Sequence, residues 1–368
     1  MSALTMTALM AFTLTVAWVL GLRPIAERIG LVDQPGAHKT HRHPTPLVGG
    51  LAIYATLVVL AVAAGDALAL GLHSASIALV APLVLLGAAD DHTHIAARYR
   101  FMAQIAVALT LALFTGVHIA SFGDLLGLGD LSLGLLALPV TVLAFVGAIN
   151  ATNMSDGLDG LSGSLAAITL SAIALLAWLG SDTATLTFAA MLLGAVFAHL
   201  AFNLRVPGRP RALIFLGDAG SMTIGLLLAY LLVHSAQGPG ALIAPVAALW
   251  LFALPLIDLF VVMERRIRRG VPPFHPGQDH LHHDLRNAGL TVGQSVAVLA
   301  TVHLSAVATG LVATHLGAPD WAMFAGVLTL HALVRGVANR SRHRSAPEPT
   351  AAPSESTLSP ESATELVA

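Results

Sequence analysis

The sequence predicts an all-α integral membrane protein that crosses the bilayer many times. Apolar residue types make up 56% of its 368 residues and charged types only 10%, whereas a soluble domain has about 25% charged residues. The mean hydropathy is +0.80, and apolar segments of the length needed to span a bilayer, roughly 20 residues, recur along the chain. This composition argues against a soluble enzyme, a nucleic-acid binder and a disordered protein.

Eleven segments are long and apolar enough to be predicted as membrane-spanning helices, and ten spans are the alternative. Together they predict a membrane domain over residues 1–340. Residues 341–368 are rich in Ser, Pro, Glu and Thr and predict a disordered cytoplasmic tail. The predicted spans are about 3–22, 47–65, 70–89, 102–120, 132–150, 160–180, 183–202, 218–236, 240–262, 293–315 and 319–338.

The basic residues predict the orientation of these spans. All 18 Lys and Arg residues lie in alternate connections or near the C-terminus, and the connections between them contain none. We expect the protein to lie in the plasma membrane. Because Lys and Arg favour the cytoplasmic side, we expect its N-terminus outside the cell and its C-terminus in the cytoplasm. The basic connections cover residues 23–46, 90–101, 203–217 and 263–292, followed by the segment from residue 335 onward.

Five aspartates lie at the predicted cytoplasmic ends of spans: Asp90, Asp91, Asp156, Asp159 and Asp218. Carboxylates at membrane depth are costly and usually face an aqueous cavity or a partner. Helix capping is the simpler explanation for Asp159 or Asp218 taken singly. It explains Asp90 and Asp91 poorly, because they follow a helix, where a negative charge opposes the macrodipole. This pair suggests a bound cation or a proton relay.

Glycines and histidines lie in the same connections. Glycines beside Asp156 and Asp218 let backbone approach a ligand, although glycine next to aspartate is also common in ordinary turns. Four histidines fall within residues 275–283. Phosphate contact is one interpretation of them. Zinc is another, but the chain has no cysteine and the spacing of the histidines is not that of a helical pair. The adjacent arginines fit a topological role equally well.

Carboxylates suit Mg²⁺, which prefers oxygen ligands together with substrate phosphates. The basic and imidazole groups suit phosphate. The combination suggests a water-soluble phosphorylated donor that meets a lipid acceptor at the membrane surface.

The ordered motifs resemble those of the polyprenyl-phosphate N-acetylhexosamine-1-phosphate transferases, a superfamily that includes the phospho-MurNAc-pentapeptide translocase. The resemblance covers about residues 23–290. The motifs that carry it are Asp33-Gln-Pro35 with Lys39 and Gly49-Gly50, the pair Asp90-Asp91, the segment from Asn150 to Leu161, Asn203 with the segment from Phe215 to Ser221, and His280-Leu-His282-His283.

The resemblance implies transfer of N-acetylhexosamine-1-phosphate, GlcNAc-1-phosphate in the first place, from a UDP-sugar to polyprenyl phosphate, with release of UMP at the cytoplasmic face. It implies Mg²⁺, with Mn²⁺ as an alternative, and by analogy a homodimer; no nucleic acid is involved. Phe215 as ordinary apolar packing is the alternative to its implied role. The implied roles are Asp90 and Asp91 in catalysis, Asp218 and Asp91 at the metal, Lys39, Asn153, Asp156, Asp159, Asn203 and Phe215 at the nucleotide sugar, and His280, His282 and His283 at phosphate.

Two other functions stay open. One is an enzyme like the translocase that uses UDP-MurNAc-pentapeptide, and the other is a proton-coupled transporter. The acids lie at span ends, which disfavours a transporter, whereas Asp258 lies inside the ninth predicted span and fits either function. Family members often carry Asp-Arg or Asp-Lys where this chain has Gly277-Gln278, so the amino sugar is not fixed by the sequence.

Overall fold

Helices form almost all of the structure, a computed structural model that describes residues 3–34, 43–238, 240–272 and 277–345. The described residues contain fourteen α-helices and one two-stranded antiparallel sheet, which confirms the predicted all-α class. The helices are α1 (Ala3–Ile29), α2 (Gly49–Ala64), α3 (Leu72–Leu79), α4 (Ala81–Thr93), α5 (Ala97–Thr115), α6 (Ala137–Ser155), α7 (Leu161–Leu179), α8 (Thr183–Asn203), α9 (Gly217–Ala236), α10 (Pro245–Leu251), α11 (Ala253–Arg268), α12 (Leu281–Asn287), α13 (Val292–His315) and α14 (Asp320–Ser345), and the strands are β1 (Val32–Asp33) and β2 (Thr45–Pro46).

Each of the eleven predicted spans coincides with a helix or a helix pair. Within the described residues nine helices are long and apolar enough to cross a bilayer, with α3 and α4 forming one of them, Leu72–Thr93. The pair α10 and α11 makes a tenth if it counts as one bent span. Helix α2 is apolar but has only 16 residues. The number of spans and their orientation in the membrane stay predictions.

Helix α9 lies at the centre of the bundle, between α2, α4, α6 and α7. It is apolar on every side, as expected for a helix without a solvent-facing stripe, and 94% of its most apolar stretch is buried inside the protein. Its N-terminus therefore opens among the ends of its neighbours, which is where the candidate site lies.

Glycines allow these helices to touch through their backbones, as is common between membrane helices. A Cβ at Gly50 of α2 would lie 2.1 Å from the backbone nitrogen of Gly220, and one at Gly87 of α4 would lie 2.4 Å from the Cα of Ala219. These two contacts bring the start of α9 directly against α2 and the last turn of α4.

The ninth predicted span is broken: α10 and α11 meet at an angle of 81° around Phe252. The break exposes backbone carbonyls, and the hydroxyl of Thr169 donates to the carbonyl of Leu251 at 2.8 Å. Pro255 lies in the first turn of α11, where its missing N–H removes no intrahelical hydrogen bond. The last helix, α14, runs to Ser345, past the predicted boundary at residue 340. The rest of the predicted tail lies outside the described residues.

Candidate active site

A cleft of about 540 Å³ opens where the C-terminal ends of α4 and α6 meet the N-terminal ends of α5 and α9. Carboxylates dominate its polar lining, and the hairpin β1–β2 and the residues around α12 complete its rim. The polar and aromatic side chains along it are Asp33, Asp90, Asp91, His94, Arg100, Asn153, Asp156, Asp159, Asn203, Phe215, Asp218 and His283.

Asp91 caps the central helix. Its carboxylate accepts the backbone N–H of Asp218 at 2.9 Å and that of Ala219 at 3.4 Å. Gly217 makes room for this contact, since it has a φ of +73° and a Cβ there would lie 2.5 Å from Asp91 Oδ2. The charge that opposes the macrodipole of α4 is thus stabilised by the positive end of α9.

Arg100 joins two of the predicted site residues. Its Nη1 pairs with Asp90 Oδ2 and lies 3.2 Å from Asp218 Oδ2. The other oxygen of Asp90 accepts the N–H of Ile95 at 2.6 Å. From the sequence, Arg100 contributes only to the predicted membrane orientation, and its contact with the two carboxylates was not predicted. A cation in the first turn of a helix opposes that helix's dipole, and this anomaly was the signal that could have revealed it.

Asn153 holds Asp218 from the side of α6. Its Nδ2 donates to Asp218 Oδ1 at 2.7 Å and contacts the Ser221 hydroxyl at 3.0 Å. Asp156 follows α6 and lines the same cleft. Burial, together with the negative charges of Asp218 and Asp91, raises the pKa of Asp156 to about 8. Asp156 therefore keeps its proton at neutral pH, because the carboxylates around it outnumber the one guanidinium of Arg100.

Asn203 and Asp159 build a wall of the cleft. Asn203 Oδ1 accepts the N–H of Gly160 at 2.6 Å, and its Nδ2 donates to the carbonyl of Ile214 at 2.8 Å. Asp159 pairs with Arg205 Nε at 2.7 Å. Their polar groups link the start of α7 to the connection between α8 and α9. Their predicted contact with a nucleotide sugar stays a prediction.

Phe215 is half-buried at the cleft and is held by its backbone. Its N–H donates to the carbonyl of Pro46 at 2.8 Å, and its carbonyl accepts the N–H of Gly49 at 2.9 Å. These bonds join the hairpin to the connection before α9. Lys39, the other nucleotide-sugar candidate of the first connection, lies outside the described residues.

The three histidines of the motif have different surroundings. His283 lines the cleft. His280 Nδ1 lies 2.8 Å from Asp258 Oδ2, while Asp258 Oδ1 accepts the N–H of Leu281 at 2.8 Å. Both oxygens of Asp258 therefore anchor this segment, an arrangement that favours the enzyme over the transporter.

His282 packs beneath the cleft. It is 3% exposed, and a Cβ at Gly157 would lie 2.3 Å from its Nε2. Burial and the neighbouring His283 lower the pKa of His282 to about 3, so its ring is neutral at physiological pH. Of the three predicted phosphate ligands, only His283 lies along the open cleft.

Mg²⁺ fits these residues only together with a substrate. Within the described residues no group of three or more His, Asp or Glu side chains is arranged to hold a metal by itself. Mg²⁺ is, however, usually bound through one or two carboxylates plus substrate phosphates. Asp90 and Asp218 already converge on a cation, the guanidinium of Arg100. Asp218, with Asp91 beside it, is the donor set that would hold the metal.

Comparison with known proteins decides the family. The family model for glycosyl transferase family 4 matches residues 73–236. An undecaprenyl-phosphate α-N-acetylglucosaminyl 1-phosphate transferase of Escherichia coli is 32% identical over 320 residues, 85% of this chain and 84% of the relative. Proteins of the same name from Salmonella typhi and Haemophilus influenzae are each 34% identical, over 85% and 84% of this chain and 84% and 86% of their own lengths. This chain belongs to glycosyl transferase family 4.

Membership in glycosyl transferase family 4 confirms the resemblance predicted from the motifs. The matched region begins at the start of α3 and ends with α9. It includes five of the six aspartates at the cleft, all but Asp33, and the bridging Arg100. The histidine motif and Asp258 lie beyond it.

Proposed function

We propose that this protein transfers N-acetylhexosamine-1-phosphate, in the first place GlcNAc-1-phosphate, from a UDP-sugar to polyprenyl phosphate at the cytoplasmic face of the plasma membrane. The observation that carries the proposal is the cleft in which Asp90 and Asp218 converge on Arg100 and Asp91 caps α9 beside them. The relatives, similar over most of the chain, are transferases whose name includes an undecaprenyl phosphate acceptor.

In the proposed reaction, an oxygen of the lipid phosphate attacks the β-phosphorus of the UDP-sugar. The bond from that phosphorus to the oxygen bridging it to the α-phosphate breaks, and UMP leaves with the bond's electron pair. A phosphate monoester has a second pKa of about 6, so the attacking group is already mostly deprotonated at neutral pH. The residues of the cleft would therefore act mainly by alignment and charge stabilisation, which dominate phosphoryl transfer.

The contacts support distinct roles for these side chains. Arg100 can release one of its two carboxylates and offer the guanidinium to a phosphate. Asp91 fixes the start of α9 and thereby the position of Asp218. His283 can donate to a diphosphate oxygen from the rim. When bound, Mg²⁺ would neutralise the diphosphate charge, held by Asp218 with Asp91 beside it.

Phe215 and Asn153 lie at the cleft where a nucleoside could be held, with Asp156, Asp159 and Asn203 on the same wall. A half-buried aromatic ring can stack on uracil. The amino sugar itself would be read at the rim, close to Gln278 and the histidine motif. The homodimer expected by family analogy stays a prediction.

The test is transfer of radiolabelled sugar phosphate from UDP-GlcNAc to polyprenyl phosphate by the purified full-length protein in detergent. We expect lipid-linked label with Mg²⁺, none with EDTA, and none with Asp218→Asn. Label from a different UDP-amino sugar only would retain the reaction and correct the donor. Absence of label from every UDP-sugar, in a protein that remains folded, would overturn the proposal.

A further inference from the structure

Two buried aspartates bracket the histidine motif. Asp279 immediately precedes His280 and Asp284 immediately follows His283. They are only 7% and 3% exposed. Buried carboxylates need partners, so the groups that pair with these two decide where the motif sits.

Helix α11 supplies one set of partners. Arg265 Nη1 lies 2.8 Å from Asp284 Oδ2, and Arg269 Nη2 lies 2.7 Å from Asp279 Oδ2. Although burial raises it, hydrogen bonds from arginines, Arg269 first, lower the pKa of Asp279 to about 2. Asp279 is therefore ionised at every physiological pH, and its pairs persist.

Helix α14 supplies the other partner, Arg342. Its Nε pairs with Asp284 Oδ1, its Nη1 lies 3.0 Å from Asp279 Oδ1, and its Nη2 donates to the carbonyl of Gln278 at 3.0 Å. One guanidinium thus contacts the chain on both sides of the four-residue motif. The planar fork of arginine suits such a double contact, whereas the ammonium of lysine is a point charge.

The end of α14 is itself fixed to α11. Arg335 pairs with Glu264 at 2.7 Å, and Arg265 Nε donates to Asn339 Oδ1 at 3.3 Å. Arg342 lies about 33 Å along the helix from Asp320, at 1.5 Å per residue. Helix α14 therefore extends beyond the length needed to cross a bilayer, and its last turns reach the histidine motif.

We propose that Arg342 is a positioning residue that holds the histidine motif against the cleft, so that the last helix is part of the active-site architecture. Arg342 does not line the cleft and acts through Asp279 and Asp284. Its effect on catalysis rests on the proposed function, in which His283 contacts the diphosphate of the donor.

The experiment compares Arg342→Ala and Arg342→Lys with Arg340→Ala in the full-length protein. Arg340 lies on the same helix and is exposed, and among the described residues it forms no ion pair, so it controls for loss of one charge. We measure amide hydrogen exchange of residues 277–287, and kcat and KM for UDP-GlcNAc.

For Arg342→Ala we expect at least tenfold faster exchange within residues 277–287. KM for UDP-GlcNAc should rise about tenfold while kcat changes less, because a donor contact is displaced. Arg342→Lys should fall between the wild type and Arg342→Ala in both measurements, and it replaces Arg342→Ala if that variant does not fold. Arg340→Ala should match the wild type. Exchange for the Arg342 variants equal to that of Arg340→Ala would overturn the proposal.

The two measurements separate this inference from the proposed function. If the wild type transfers no sugar phosphate, the proposed function fails, and the exchange rates still decide whether Arg342 holds the motif. If exchange rises in Arg342→Ala while the kinetic constants for UDP-GlcNAc stay at wild-type values, the positioning role is overturned.

Discussion

The span Leu72–Thr93 and helices α8 and α9 carry polar residues at both ends, and the two clusters differ in how their charges are balanced. At the end away from the cleft, His73 contacts Tyr230 and Thr185, each at 3.1 Å. The hydroxyl of Thr185 donates to Asp182 at 2.6 Å, and His234 lies 3.9 Å from that carboxylate. We call these five residues the distal cluster.

The distal cluster contains one carboxylate and satisfies its polar groups internally, with the ring of His73 also stacked on Phe188 at 5.2 Å. The cleft contains several carboxylates around one arginine. A satisfied network stabilises the fold, whereas an excess of like charge is relieved by protonation, as at Asp156, or by a bound cation. The same helices therefore have a stabilising hydrogen-bonded cluster at one end and a cleft with an excess of carboxylates at the other.

The largest difference between the two ends should appear when one aspartate of each is replaced by asparagine. Asp218→Asn should lower the transfer rate by about 10³-fold, since the carboxylate proposed to hold Mg²⁺ on the diphosphate is removed. Asp182→Asn, at the distal end, should leave the rate within about threefold. Its effect on the cap of α8, in which Asp182 accepts the N–H of Thr185, should be small, because asparagine caps a helix about as well as aspartate. Transfer assays and thermal unfolding in detergent measure both. Equal losses of activity would refute the division between the two ends.

Arg100 should show the next largest effect. Arg100→Ala leaves Asp90 and Asp218 facing each other without their cation, and we expect a loss of about 10²-fold in kcat/KM. Arg98→Ala is the control, because Arg98 is exposed and rests on the ring of Tyr99 at 4.7 Å. It should stay within about twofold of the wild type. Indistinguishable rates for the two variants would remove Arg100 from the site.

A substitution of His73 tests whether the distal cluster contributes to stability and not to activity. His73→Ala removes two hydrogen bonds and a stacked ring from a buried position, and should lower the free energy of unfolding by about 2 kcal/mol or more. Activity measured well below the unfolding temperature should remain near the wild-type value. Denaturation followed by tryptophan fluorescence measures the first quantity. A loss of activity without a loss of stability would assign the distal cluster a direct role in the reaction.

The smallest effect concerns pH. The pKa of Asp156 in the folded protein is about 8, above the value of about 3.9 for an unfolded chain. Between these values the folded protein keeps a proton that the unfolded chain has lost, so stability falls as pH rises toward 8. Asp156→Asn removes this dependence. With EDTA present, the variant should unfold about 2 °C above the wild type at pH 8.5, and the difference should shrink toward pH 5. Parallel unfolding curves would contradict the raised pKa.

Most of the fold was predictable because each apolar segment is long enough to be a helix by itself. The break at Phe252 was not, since the apolar run continues through it and Pro255 lies after the bend rather than in it. The reach of α14 to Arg342 was missed for a related reason. Its last turns are polar and do not continue the apolar run, and only the ion pairs with Asp279 and Asp284 show why they stay helical.

The residue types of the candidate site were predictable, but the partner that each side chain contacts was less so. Asp90 and Asp91 are adjacent, yet one contacts Arg100 and the other caps α9. Successive side chains around a helix point about 100° apart, so these two neighbours take different partners. The same geometry turns His283 toward the cleft and buries His282.

The backbone contacts of Gly50 and Gly87 with the start of α9 have a consequence for the diversity of substrates. Because main chain meets main chain there, no rotamer change at these contacts can alter the spacing between the backbones that carry Asp91 and Asp218. The rim that would face the sugar in the proposed reaction is different, since it is held by side-chain ion pairs that a few substitutions can rearrange. We expect specificity for new donor sugars to evolve through substitutions at the rim. The start of α9, held by backbone contacts, would keep the spacing that the phosphoryl chemistry needs.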